Sequence, residues 1–272
     1  MYVIAIANQK GGVGKTTLTR ELAACCAIRG YQTLIIDCDP QKNQTTSWLD
    51  MDAYEATLSH VLIEPEADKF GKRAQLLPLG DVIIETNLQN LDLVPADIRL
   101  ARFELQPDYL TLRLRGQLEI IRHQYDLVFL DCPPQLGKLL NAALYSANYV
   151  LIPCKADPMT LEGLADLIYT LDRVKENANP NLEILGAVMT LYKPQRGVSA
   201  EAREAVEEAS DLIKYVFDTN LHDYAKFVEA PTKHLPVVLY APNHAAADQL
   251  ESLTEEVLER LKLTRNKIAA VK

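Results

Sequence analysis

The chain has 272 residues, 48% of them hydrophobic and 24% charged, an ordinary balance for a soluble globular protein. Its 37 acidic and 28 basic residues give a formal charge of −9, which excludes a protein that coats itself in nucleic acid through global charge; DNA contact would need a local basic patch. No apolar run reaches about 18 residues, no basic leader precedes the apolar start, and the five cysteines show no metal spacing. A membrane-spanning helix, a secretory signal and a disulfide scaffold are therefore excluded, and reduced thiols in a cytoplasm are expected.

In chain order, Tyr2 to Ala7 is an apolar run that reads as a buried strand, and Thr16 to Arg29 reads as a helix with Leu18, Leu22, Cys25, Cys26 and Ile28 roughly on one face. Gly30 stands where a helix-ending glycine belongs. Strands are expected at Thr33–Asp37, Leu91–Val94, Asp126–Leu130, Tyr149–Ile152 and Ile184–Met189, with Tyr215–Phe217 a further candidate. Later helices are expected at 161–174, 199–213 and 245–263. The stretch from about Met51 to Leu110 carries Pro65, Pro78, Pro95 and Pro107 and is expected to lie partly outside the sheet. Continuous apolar strands separated by helical patterns imply an α/β fold, a mostly parallel sheet covered by helices on both faces. No linker divides the chain, so one domain over 1–272 is expected, with a basic tail from about residue 260.

The sharpest motif is Lys10-Gly11-Gly12-Val13-Gly14-Lys15-Thr16-Thr17, between the first strand and the first helix. That is the setting of a phosphate loop: glycines let consecutive N–H groups turn inward on phosphates, and the helix N-terminus adds partial positive charge. Lys15 is expected to reach the β- and γ-phosphates and Thr16 to offer its hydroxyl to Mg²⁺. The usual leading glycine is replaced by Gln9, so the loop is of a deviant form. Asp131 ends a strand, where an open α/β sheet presents ligand groups, and can hold a Mg²⁺-bound water. Asp37 has the same strand-end position; it either supports the metal shell or is a structural carboxylate bonded to loop backbone.

The deviant loop with Lys10 resembles that of the ParA/MinD family of P-loop ATPases. Asp37-Cys38-Asp39-Pro40-Gln41 with Asn43, Leu91 to Ala96, Asp131-Cys132-Pro133-Pro134 with Leu136-Gly137, Leu161-Glu162-Gly163 and Glu229-Ala230-Pro231 follow in the family's order, from Tyr2 to about Leu261, and narrow the resemblance to the ParA side. The resemblance implies an ATPase, weak alone and stimulated by a partner, with ATP and Mg²⁺ as cofactors. It makes Asp39 the residue that orients the attacking water and Lys10 a residue that crosses an ATP-sandwiched homodimer to the partner's phosphates. It further implies nonspecific binding of nucleoid DNA by the ATP form, and a ParB-like or cargo-adaptor activator that resets it. The cargo would be plasmid or chromosome DNA or a protein organelle, and the location cytoplasmic, on the nucleoid when ATP is bound.

Basic residues available for DNA are Lys193, Arg196, Arg203, Lys226, Lys233, Arg260, Lys262, Arg265 and Lys267. Asp223 stands where the family commonly has arginine, and Lys42 where it often has glycine. A MinD-like membrane-associated ATPase is the alternative, but the tail 261–272 lacks Trp and Phe anchors, so no stable membrane association is expected. A metabolic or redox enzyme of the same superfamily would need cysteine settings that Cys132 and Cys154 do not resemble. The phosphate loop begins so early that no DNA-reading segment precedes it, and no sequence-specific operator binding is expected.

Overall fold

A computed structural model of the chain describes residues 1–50, 53–66, 75–156, 160–193, 197–208 and 216–263. The strands are β1 (Tyr2–Ile6), β2 (Thr33–Asp37), β3 (Ile84–Glu85), β4 (Leu91–Val94), β5 (Leu127–Asp131), β6 (Tyr149–Lys155) and β7 (Glu183–Thr190). The longer helices are α1 (Lys15–Ile28), α4 (Arg113–Ile120), α5 (Lys138–Ser146), α6 (Thr160–Asn177), α7 (Gly197–Glu208) and α10 (Ala245–Arg260); α2 (Asn43–Trp48), α3 (Leu58–Leu62), α8 (Lys226–Glu229) and α9 (Val237–Tyr240) are short. One seven-stranded sheet runs in the order β3-β4-β2-β5-β1-β6-β7. Every pairing is parallel except that of the edge strand β3 with β4.

The alternation of side chains along each strand divides the core in two. Val3, Ala5, Ile36, Val128, Leu130 and Ile152 face a layer built from α3, α4, α5, α6 and α7. Ile4, Ile6, Ile35, Phe129 and Leu151 face α1, α9 and α10. Both faces are dry, which is why these strands read as unbroken apolar runs. Helix α1 ends by a local rule: Gly30 takes φ +85°, its N–H reaches Ala27 O, and Tyr31 N–H reaches Cys26 O, the paired bonds that close a helix around a left-handed residue.

Most elements read from the sequence are present; of the helix expected at 199–213, residues 209–213 lie outside the described residues. Helices α2, α3, α4, α5, α8 and α9 are additional, and the start of α5 is held by a distant residue, Glu104. The middle stretch is irregular, and besides the expected β4 it supplies the edge strand β3. Of the candidate strand Tyr215–Phe217, Val216 makes an isolated bridge to Ala187, and Tyr215 lies outside the described residues. The last helix ends at Arg260, short of Leu263, because Lys262 adopts φ +55° and its N–H turns back to Glu259 O. No described helix is long and apolar enough to cross a membrane.

Register decides where a ligand can sit. Ile6 lies opposite Asp131, and Asp37 lies opposite Asp131 from the other side. The C-terminal ends of β1, β2 and β5 thus stop abreast. The chain leaves β1 for a helix on one face and leaves β5 and β6 for helices on the other, and the crevice at such a reversal is the usual ligand position in an open α/β sheet.

Candidate functional site

The loop after β1 is held at both ends by side chains. The Asn8 carboxamide accepts from Lys10 N at 2.9 Å and donates to Pro153 O at 2.7 Å, anchoring the loop's start to β6. The Thr190 hydroxyl, at the end of β7, donates to Val13 O at 2.8 Å. Between these anchors Gly12 and Gly14 take φ +69° and +87°, where any side chain would strain the backbone. A Cβ added to Gly11 or Gly12 would meet nothing within 4 Å, so the concave side stands open where a phosphate chain needs room. Gly14 ends this turn and α1 starts at Lys15 with no side-chain cap.

Lys15 is buried, and its ammonium donates to Lys10 O at 3.1 Å. Burial lowers its pKa, while Asp131, Cys132 and Asp39 pull it back up. Facing it, Asp131 is 1% exposed, and neither carboxylate oxygen has a hydrogen-bond partner of good geometry among the described residues. Burial pushes Asp131 well above the carboxylate range and Asp37 adds to the rise; the Thr16 hydroxyl and the Lys15 charge oppose it. An orphaned buried carboxylate beside a buried lysine fits a position completed by a cation and its water. Thr16 and Thr17 are half-buried in the first turn of α1.

The loop after β2 organises the other acids. Asp37 is fully enclosed and accepts from Thr45 N at 2.8 Å, from the Thr45 hydroxyl at 2.7 Å and from Asp39 N at 3.1 Å. Burial pushes its pKa up to about 7, against those hydrogen bonds. Its oxygens are engaged by protein, so of the two readings the sequence left open the geometry supports the structural one. Asp39 is half-buried; one oxygen accepts from Gln41 N at 2.9 Å, and its charge acts on Lys15. Lys42 occupies the left-handed region at φ +53°. The Gln44 carboxamide, with its nitrogen toward α1, donates to Thr16 O at 3.0 Å and accepts from Trp48 Nε1 at 3.2 Å, tying α2 to the phosphate loop. Asn8, Gln44 and Thr190 were not singled out from sequence; for Asn8 and Thr190 the signal is a polar side chain at or just past a strand end, whereas Gln44 lies in the first turn of α2.

Four of the six basic positions that fall among the described residues are engaged by neighbouring acids or carbonyls. Lys193 pairs with Asp223 at 2.6 Å, so the acid at a usually basic position neutralises the nearest lysine. Lys226 pairs with Glu229 at 2.6 Å and lies 5.5 Å from the centre of the Tyr240 ring. Arg203 donates to Phe217 O and Asn220 Oδ1 and pairs with Glu207. Arg260 stacks 3.7 Å from the Phe217 ring centre and donates to Leu185 O and Val216 O. Both arginines are thus engaged by backbone carbonyls at Leu185, Val216 and Phe217. Lys233 and Lys262 are exposed. Arg196, Arg265 and Lys267 lie outside the described residues.

A family model described as an AAA domain matches residues 1–184. The sporulation initiation inhibitor protein Soj of Bacillus subtilis is 34% identical over 259 residues, covering 94% of this chain and 97% of its own length. The chain belongs to the ParA/MinD-type family of P-loop ATPases. Its relatives include the chromosome partitioning protein ParA of Caulobacter vibrioides, 35% identical over 265 residues, with 96% of this chain and 95% of that protein covered. Among solved structures, cobyrinic acid a,c-diamide synthase of Mycobacterium smegmatis with bound ADP and magnesium superposes with a TM-score of 0.81 at 25% identity, covering 100% of this chain and 99% of that one. The cell division ATPase MinD of Pyrococcus furiosus shares the fold, with a TM-score of 0.75 at 23% identity over 95% and 98% of the two chains.

Proposed function

We propose that this protein is a ParA-type positioning ATPase. The observation that carries the proposal is the orphaned Asp131 carboxylate facing Lys15 across an open glycine loop, in a chain aligned along nearly its whole length with Soj and ParA. Residues 10–17 would cradle the phosphates of ATP, with Lys15 on the β- and γ-phosphates. Thr16 and, through a water, Asp131 would hold Mg²⁺; Asp37 shapes the loop that carries Asp39. When bound, Mg·ATP supplies the transferable phosphoryl group and its neutralising cation.

Asp39 would orient the attacking water; one of its oxygens is held by Gln41 N–H, which supports the reading by fixing the carboxylate. Lys10 would reach the phosphates of a second subunit, placing another cation on the transition-state charge only in the dimer. The ATP dimer would bind nucleoid DNA without sequence preference. Because Lys193 and Lys226 are paired to acids and Arg203 and Arg260 are committed to backbone carbonyls, the DNA contact would fall to Lys233, Lys262 and the basic positions beyond residue 263. A ParB-like or cargo-adaptor protein would stimulate hydrolysis and release the dimer. The cargo is plasmid or chromosome DNA or a protein assembly.

Light scattering and DNA binding test the proposal together. Asp39→Ala keeps the cradle and Lys15, so with ATP and Mg²⁺ it should accumulate as a dimer, and adding Lys10→Ala should reduce that dimer. The ATP form should bind duplex DNA with a steep dependence of log K on log salt, and the ADP form should not. A D39A protein that stays monomeric with saturating ATP, or equal DNA binding with ADP, would overturn the reading.

A further inference from the structure

The segment between Asp131 and α5 has its far end clamped by a residue from another part of the chain. Glu104 lies in the 3-10 helix Ile98–Leu105, yet its carboxylate accepts from Lys138 N at 2.8 Å and from Leu139 N at 3.2 Å. It therefore occupies the N-terminus of α5, which has no side-chain cap of its own at Gly137. A second tie runs the other way: the Lys138 ammonium donates to Gln106 O and pairs with Asp108 at 2.8 Å. Both ties join the first turn of α5 to residues 104–108.

Gly137 shows how closely the clamp fits. Its φ is 178°, an extended conformation open to any residue, so backbone freedom does not require glycine there. Space does: a Cβ at 137 would lie 2.5 and 2.6 Å from the two Glu104 carboxylate oxygens, far inside contact distance. Alanine at 137 would therefore evict the Glu104 carboxylate from the helix end. The near end of the segment is fixed independently by the pairing of Asp131 with β1 and β2. Pro133 to Gly137 hang between these two anchors, next to the orphaned Asp131 carboxylate, and only the second depends on Glu104.

We infer that Glu104 is a positioning residue for hydrolysis, holding the loop that follows Asp131 in its catalytic shape through the N-terminus of α5, with Gly137 kept side-chain-free to admit it. The inference rests on the reading of this crevice as an ATP-hydrolysing centre. Nucleotide affinity comes from residues 10–17, which neither Glu104 nor Gly137 touches. A slack loop after Asp131 therefore leaves binding intact and blurs the geometry of the reacting groups, where misplacement by about 1 Å can cost about 100-fold in rate.

Steady-state ATP hydrolysis and calorimetric binding of Mg·ATP by the full chain test it, with Glu104→Ala, Glu104→Gln, Gly137→Ala and the double variant Glu104→Ala/Gly137→Ala. Glu104→Ala should lower kcat about tenfold or more, within that range, while the ATP dissociation constant moves less than about twofold. Glu104→Gln, which keeps one accepting oxygen, should recover most of kcat. Gly137→Ala should reproduce Glu104→Ala, and the double variant should be no slower than either single one, because each removes the same contact. Unchanged kcat in Glu104→Ala, even with a lowered Tm, would leave Glu104 as a helix cap only and overturn the inference. Multiplied losses in the double variant would overturn it equally. A wild type that binds ATP but does not turn it over under any condition would instead sink the reading on which the inference rests.

Discussion

Replacing Lys15 by alanine separates what this side chain does for the ligand from what it does for the fold. Its ammonium is buried and spends one hydrogen bond on Lys10 O at 3.1 Å. Burial outweighs the attraction of Asp131, Cys132 and Asp39, since the pKa of Lys15 is lowered rather than raised. A group whose charged form is disfavoured in the folded chain contributes little to folding. Its loss should therefore cost about 1 kcal/mol or less, because desolvation of the ammonium cancels most of what its one hydrogen bond contributes. Toward ATP the balance reverses. Charge-assisted bonds to two phosphates contribute about 1.5–3 kcal/mol each, and the bond to Lys10 O that is given up offsets about 1 kcal/mol. The net loss is about 3 kcal/mol, or about two orders of magnitude in the dissociation constant. Titration calorimetry with Mg·ATP measures the second quantity and scanning calorimetry of the nucleotide-free chain the first. ATP affinity within about threefold of wild type, with folding intact, would refute the assignment of Lys15 to the phosphates; a collapse of Tm in the free chain would refute the argument from burial.

Lys42→Gly should stabilise the chain by about 1 kcal/mol, because a lysine at φ +53° carries the Cβ strain of the left-handed region that glycine does not; chemical denaturation measures it, and a loss of stability would count against that strain. Arg260→Ala should cost about 2–4 kcal/mol through two hydrogen bonds from a charged donor and the stack on Phe217,, while the salt slope of DNA binding stays as in wild type. Glu21 supplies a pH test. Burial pushes its pKa up from 4.5 to about 7, despite Arg20 and the Val237 N–H. The folded chain therefore holds a proton that the unfolded chain releases, and this contribution to stability is complete below about pH 4.5 and lost as pH rises to about 7. Denaturation midpoints across pH 4.5 to 8 should show that decline, and Glu21→Gln should flatten it; an unchanged pH profile in the variant would contradict the assignment to Glu21.

What the sequence alone determined is what neighbouring residues determine physically. The central strands were legible because burial on both faces leaves their middle positions apolar, with polar residues only at the ends. The phosphate loop was legible because a short glycine-rich turn between a strand and a helix needs only its own residues to curve, and the end of α1 because Gly30 and Tyr31 close it with local bonds. The tertiary structure decided matters that depend on residues far apart in the chain. Helix α5 lacks a cap of its own and takes Glu104 from more than thirty residues away, so no local signal marks its start. The last helix stops at a lysine in a glycine-like conformation, which a sequence pattern does not announce. Asp37 and Asp131 end adjacent strands in register and look alike as sequence, yet Thr45 and the Asp39 N–H satisfy one, while the other has no hydrogen bond of good geometry among the described residues. Arg203 and Arg260 read as surface charge until backbone carbonyls claimed them. A charge or a carboxylate acquires its role from the groups that desolvate and pair it, and those groups arrive only when the sheet brings distant strand ends together.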